Sequence, residues 1–140
     1  KWDMHVEVVS NIIPTMNDDD EQLEGIARWI AGSLGPSTPW HVTRFHPDHT
    51  LRHIPATPLS TLERAYEIGK RAGLQFVYLG NVPSADKENT YCPACGQLAI
   101  QRVGYQTQIV NMEDGRCRAC KADLNIRGRW TRCAPSSLGA

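Results

Sequence analysis

Four cysteines stand in two pairs, Cys92-Pro-Ala-Cys95 and Cys117-Arg-Ala-Cys120, with 21 residues between the pairs. A two-residue gap lets both thiolates of a pair reach one ion from one tight turn, and two such turns complete a tetrahedron. The spacing therefore predicts a metal site with Cys92, Cys95, Cys117 and Cys120 as ligands. Zinc is the expected ion; iron in a rubredoxin-like site is its chemical rival, because four thiolates suit both metals. With every position taken by cysteine, the expected role is structural. About forty residues cannot bury enough apolar surface to fold unaided, so the metal must supply folding energy. Cys133 is left over and is read as a bystander thiol. An odd cysteine count without an apolar leader in Lys1 to Asp20 argues against a secreted disulfide framework and for a reducing, cytoplasmic setting.

A second group of reactive side chains lies in Phe45-His46-Pro47-Asp48-His49 and at His53. Imidazoles in such a loop can bind a metal or simply be solvated, and the two readings stand about even for His49 and His53. His5 and His41 fall within strands and are read as packed histidines. Arg44 and His46 share strand parity, which points both toward one face or toward a barrel interior. Asn11, Asn17 and Asn81 lie near strand ends, where turn and capping roles are the default.

Residues 1–88 must position that loop. His5 to Ile13 is rich in Val and Ile and reads as a strand buried on both faces, ended by Pro14. Asn17 or Asp18 can cap a helix in which Leu23, Ile26, Ala27, Ile30 and Leu34 form one apolar stripe. Trp40 to Phe45 reads as a second strand. Pro58 and Ser60-Thr61-Leu62-Glu63, a capping-box pattern, open a second helix with Leu62, Ala65, Tyr66, Gly69 and Ala72 on its apolar face. Gln75 to Leu79 reads as a third strand. Strands alternating with helices imply parallel pairing, in a doubly wound sheet or a (β/α) barrel. Three strands are few for either, so residues 1–88 read as part of a larger barrel or sheet. Ser84 to Asn89 reads as a polar linker, residues 89–132 as the zinc ribbon with a turn at Asp114-Gly115, and 133–140 as a loose tail.

The chain has 140 residues, 41% of them hydrophobic, and a formal net charge of zero. No apolar run approaches the ~20 residues of a membrane-spanning helix, so no membrane partner is expected. Charge is uneven: residues 1–88 carry 8 basic and 12 acidic side chains, residues 89–140 carry 7 and 3. The weakly basic ribbon offers Arg102, Arg116, Arg118, Lys121, Arg127 and Arg129, with Tyr105 and Trp130 as stacking groups. A solvated basic surface is the favoured reading over nucleic-acid binding. No dinucleotide fingerprint, P-loop, H-E-x-x-H or nucleophile-elbow motif occurs.

Four blocks in order carry a resemblance. They are Asn11-Ile-Ile-Pro-Thr-Met-Asn-Asp-Asp-Asp-Glu, Pro39-Trp-His-Val-Thr-Arg-Phe-His-Pro, Tyr78-Leu-Gly-Asn-Val-Pro and Glu88-Asn-Thr-Tyr-Cys-Pro-Ala-Cys-Gly; Gly128-Arg-Trp130 adds to them. Together they resemble the C-terminal half of the AmmeMemoRadiSam system radical SAM enzyme, a family related to pyruvate formate-lyase activating enzymes. The resemblance implies a (β/α)6 partial barrel, a [4Fe-4S] cluster on a C-x-x-x-C-x-x-C loop, and S-adenosylmethionine as the source of a 5′-deoxyadenosyl radical. It implies that His46 contacts S-adenosylmethionine, with Asn11 and Ile13 lining the adenine pocket. Arg44 is assigned either to cofactor or substrate or to a barrel-interior salt bridge. No C-x-x-x-C-x-x-C occurs in this chain. The first half of the barrel is therefore expected to be missing, and this chain alone inactive. The substrate is left open, a protein among the candidates. The competing function is a non-catalytic zinc-ribbon module that binds nucleic acid or a protein.

Overall fold

The computed structural model describes residues 4–82 and 86–128. Three parallel strands come first: β1 (Val8–Ile12), β2 (Trp40–Arg44) and β3 (Val77–Gly80). They lie side by side in chain order, with Val9 opposite His41 and His41 opposite Tyr78. Helices α1 (Asp20–Trp29) and α2 (Leu59–Arg71) make the two connections. Leu23, Ala27 and Ile30 from the first connection and Leu62, Ala65 and Ile68 from α2 share one core with Ile12, Trp40, Val42, Val77 and Leu79. Both helices thus cover the same face of the sheet.

That arrangement corrects the expectation for β1. Burial on both faces was expected, yet Val9 is 66% exposed and Asn11 is exposed, while Ile12 is fully buried. The strand has the composition of a two-sided one, but only one side is covered by the described residues.

The core is tight where β2 meets α2. Trp40 is fully buried and its indole Nε1 donates to Ser10 Oγ at 3.0 Å, so the one polar atom of the ring has a partner. Gly69 lets the helix approach: a Cβ there would stand 2.9 Å from both Trp40 Cε3 and Val77 Cγ2. Glycine is required here by space.

Helix ends differ from the sequence reading in detail. Asp19, rather than Asn17 or Asp18, is the N-cap of α1, its side chain accepting from the Gln22 N–H at 2.9 Å. After Trp29 the chain continues as a π-helical turn, Ile30–Leu34, ended by Gly35 at φ +108°. Pro58 is the N-cap of α2 and gives it no side-chain cap, so Ser60 and Glu63 lie inside the helix and form no capping box. Proline cannot donate, and the first helical N–H groups need no intrahelical partner, so the start is tolerated. Ile68 is buried on α2, whereas Tyr66 and Ala72 are half-buried.

The ribbon is built from antiparallel pieces: β4 (Thr90–Tyr91), β5 (Leu98–Val103), β6 (Gln106–Ile109), β7 (Met112–Glu113) and β8 (Arg116–Cys117). Asp114 and Gly115 connect β7 and β8 with φ of +48° and +74°. Two positive φ values are the signature of the type I′ hairpin turn, which the Asp-Gly pair favours. Its small core consists of Cys92, Ala99, Ile100, Met112, Cys117 and Leu124. The expected linker is more ordered than its composition implies. Asp86–Glu88 form a 3-10 turn, and Asn89 is 6% exposed with its Oδ1 accepting the Arg102 N–H at 2.6 Å. Ser84, Arg129, Trp130, Cys133 and the tail to Ala140 lie outside the described residues.

Candidate metal centre

Each C-x-x-C pair sits on a turn closed by the same two backbone hydrogen bonds. Cys92 O accepts from Gly96 N at 2.8 Å, and Cys92 N donates to Gln97 O at 2.8 Å. In the second turn Cys117 O accepts from Lys121 N at 2.8 Å, and Cys117 N donates to Ala122 O at 2.9 Å. The residue after each pair must adopt a left-handed conformation, φ +73° at Gly96 and φ +63° at Lys121. Glycine meets that demand freely; lysine does so at a cost.

The turns face each other and bring the four sulfurs together. All four Sγ atoms lie within 4.8 Å of one another. Cys92 Sγ is 3.5 Å from Cys120 Sγ, and Cys95 Sγ is 3.7 Å from Cys117 Sγ. A tetrahedral ion with bonds of ~2.3 Å sets its sulfurs about 3.8 Å apart. The donor set and its spacing therefore fit a metal ion such as zinc. All four cysteines are free thiols. Cys92 and Cys117 are buried and Cys95 and Cys120 exposed, so the site lies half in the ribbon core and half at its surface.

Local groups tune these sulfurs. The Cys117 thiol is drawn down to about 7, first by the backbone N–H of Cys120, then against burial by that of Ala119 and by the thiols of Cys95 and Cys120. At Cys95 the Gln97 backbone N–H lowers the value, but burial and the thiols of Cys120, Cys92 and Cys117 push it up to about 12. Thiolates held this close repel one another, and a cation among them relieves that repulsion by taking the place of thiol protons. Asn111 adds a further contact: its Nδ2 lies 3.7 Å from Cys117 Sγ and donates to Gln97 Oε1 at 2.7 Å. It ties the second cysteine turn to the first.

The remaining site candidates lie at the carboxyl ends of the parallel strands. His46, His49 and His53 are all exposed, and they do not converge as ligands; the four cysteines are the one such cluster among the described residues. His46 follows the end of β2 in the open loop. Arg44 has the parity of Trp40 and Val42, the helix-covered face, and its Nε donates to Thr57 O at 2.9 Å. Asn11 is exposed on the opposite face, and Ile13 is half-buried. Asn17 makes the expected turn contacts, accepting from Ile13 N at 2.7 Å and donating to Asn11 O at 3.0 Å.

Two sets of residues escaped the sequence reading. Thr57 is fully buried; its Oγ1 donates to Ile12 O at 2.6 Å and accepts from Phe45 N at 3.0 Å. It fastens the end of β1 to the end of β2 and closes the histidine loop. The second set joins the ribbon to the amino ends of the strands. Tyr78 OH meets Thr90 Oγ1 at 2.9 Å, and Asn125 Nδ2 donates to Ser37 O at 3.2 Å. Arg102, expected in a solvated basic surface, instead donates through Nη1 to Thr90 Oγ1 and Glu88 O. A C-terminal position in β5 with inward parity is too weak a signal to have marked it.

No family model matches the chain, and no solved structure matches it. Among curated proteins it is similar to the "Uncharacterized protein MJ0808" of Methanocaldococcus jannaschii, 42% identical over 128 residues. The match covers 90% of this chain and 38% of that relative, so the chain spans well under half the length of the protein it matches. No helix among the described residues is long and apolar enough to cross a membrane.

Proposed function

We propose that this chain is the carboxyl-terminal part of a radical S-adenosylmethionine enzyme, ending in a structural zinc ribbon. The observation that carries the reading is the sheet order. Strands β1, β2 and β3 follow one another with both helices on one face. Barrels are built in that way, whereas doubly wound sheets reverse their order and carry helices on both faces. In this reading the uncovered face, with Val9, Asn11 and Thr43, is the interior of a (β/α)6 partial barrel that further strands complete. Three of the four blocks that carry the family resemblance fall at β1, β2 and β3 and the segments just after them, where such folds bind ligands; the fourth is the first cysteine turn of the ribbon. The share of the relative that the chain spans, 38%, suits a piece of a longer protein.

His46 then contributes one hydrogen bond to S-adenosylmethionine, with Asn11 and Ile13 beside the adenine. Arg44 holds the histidine loop through Thr57 O, and its Nη1 and Nη2 have no partner among the described residues. The cluster and S-adenosylmethionine supply a 5′-deoxyadenosyl radical when bound. The cluster needs three cysteines, and Cys92, Cys95, Cys117 and Cys120 are committed to the ribbon, so its ligands come from another part of the protein. Free thiols suit the cytoplasm.

The test is reductive cleavage of S-adenosylmethionine to 5′-deoxyadenosine after anaerobic reconstitution with iron and sulfide. A longer natural protein that carries this segment forms the product; the 140-residue chain forms none. Absence of product from the longer protein, with its cluster in place, would refute the assignment.

A further inference from the structure

The amino ends of β1 and β2 bring two imidazoles onto one carboxylate. Side chains two residues apart on an extended segment share a face, so His5 and Glu7 project together. The pairing of Val9 with His41 sets that histidine on the neighbouring strand beside them. Glu7 Oε1 lies 2.8 Å from His5 Nε2, and Glu7 Oε2 lies 2.8 Å from His41 Nε2. The His41 ring stacks on Tyr78 with centroids 5.1 Å apart. All three side chains line a cleft of about 520 Å³ between the sheet and the ribbon, whose walls include Phe76, Leu124 and Arg102.

From this geometry we propose that His5, Glu7 and His41 form a second metal site, for a divalent first-row transition ion. The donor set, two imidazoles and one carboxylate, suits Fe²⁺, Co²⁺, Ni²⁺ or Zn²⁺ and leaves coordination positions open. Those positions face the cleft, where an exchangeable ligand or water can complete the shell. Tyr78 backs the site by stacking on one face of His41. Among the described residues only the four thiolates already converge within 4.8 Å. In the His–Glu–His set each Nε2 contacts a different oxygen of Glu7, as a donor. An ion binds each neutral ring at Nε2 in the tautomer that carries its single proton on Nδ1, so it replaces both Nε2–H contacts to Glu7 with no net loss of ring protons, and draws the nitrogens to one side of the carboxylate. His5 and His41 are 39% and 33% exposed at the side chain, so the rings turn through solvent rather than through core.

The site stands apart from the thiolate centre in ligands and place, and it does not depend on the radical-enzyme reading. Its test is a titration of the zinc-loaded chain with Co²⁺, followed by calorimetry and visible absorption. The expected result is one further equivalent, with weak ligand-field bands and no thiolate charge-transfer band. His5→Ala, Glu7→Gln and His41→Ala each abolish that equivalent while zinc in the ribbon stays at one per chain. The triple variant His46→Ala, His49→Ala, His53→Ala retains it. His5 precedes β1, so His5→Ala remains decisive should His41→Ala fail to fold. A wild-type chain that takes up no second ion would overturn the proposal. So would a second equivalent that survives all three ligand substitutions.

Discussion

Arg102 grips Tyr78 across the junction between the ribbon and the parallel sheet. Its guanidinium carbon lies 5.3 Å from the ring centroid, while Nη1 donates at 2.8 Å to Thr90 Oγ1 and at 2.9 Å to Glu88 O. The phenol OH meets the same Thr90 Oγ1 at 2.9 Å. Burial raises the Tyr78 phenol above its ordinary value, so it stays neutral and keeps that hydrogen bond. One arginine thus ties β5, the 3-10 turn and β3 into a single joint.

Arg102→Ala removes a cation–π contact and charged hydrogen bonds, and it is expected to cost about 2–3 kcal/mol. Tyr78→Phe removes the hydroxyl contact alone and is expected to cost about 1 kcal/mol. Thermal unfolding measures both. A double-mutant cycle between Arg102→Ala and Tyr78→Leu should give a coupling of roughly 0.5–2 kcal/mol, because the two side chains touch. Additive losses would show that the stacking contributes nothing to the joint.

The two cysteine turns have one geometry but different residues at the left-handed position. Lys121→Gly relieves backbone strain and should stabilise the loaded ribbon by about 0.5–1 kcal/mol. Gly96→Ala introduces the same strain and should destabilise it by about 1 kcal/mol. The rate of metal loss to a chelator checks both: slower release from the first variant and faster from the second.

Thr57→Val keeps the shape of a fully buried side chain but deprives Ile12 O of a donor and Phe45 N of an acceptor. Each stranded group costs about 1–3 kcal/mol. Thr57→Ser restores most of the loss. Urea unfolding of the three proteins decides the matter; a valine variant as stable as wild type would mean that water replaces both bonds.

Two glycines on helices should respond in opposite ways. Gly69→Ala forces a Cβ to 2.9 Å from Trp40 and Val77, and overpacking of this kind costs about 1–3 kcal/mol. Gly25 lies inside α1 with nothing within 4 Å of its built Cβ. Gly25→Ala should therefore stabilise by about 0.5–1 kcal/mol through helix propensity alone. Circular dichroism melts separate the two.

What the sequence made legible was what short-range rules govern. The cysteine spacing named the four sulfurs that cluster, because two tight turns with that spacing converge wherever the ribbon lies. Asp114-Gly115 named a hairpin, because few other pairs accept two positive φ values. Apolar spacing placed both helices. Tertiary contacts were not legible. Asn89 looked like linker, yet its Oδ1 is consumed by the Arg102 backbone; Arg102 looked like surface, yet three acceptors and ring contacts hold it in place. Parity put Arg44 and His46 together, but β2 ends at Arg44 and the loop then follows Thr57 rather than the strand. His5 and His41 read as packed strand histidines, yet His5 precedes β1 and is exposed and His41 is half-buried; only the register of β1 on β2 brings both to Glu7.

X-ray absorption at the zinc edge tests the four-thiolate centre directly. The protein is purified without added metal and washed with a weak chelator to clear looser sites. The expected result is one zinc per chain with four sulfur neighbours at ~2.3 Å, lost together with the ribbon fold in Cys92→Ser or Cys117→Ser. A chain without stoichiometric zinc, a first shell containing nitrogen or oxygen, or a disulfide among Cys92, Cys95, Cys117 and Cys120 would contradict it.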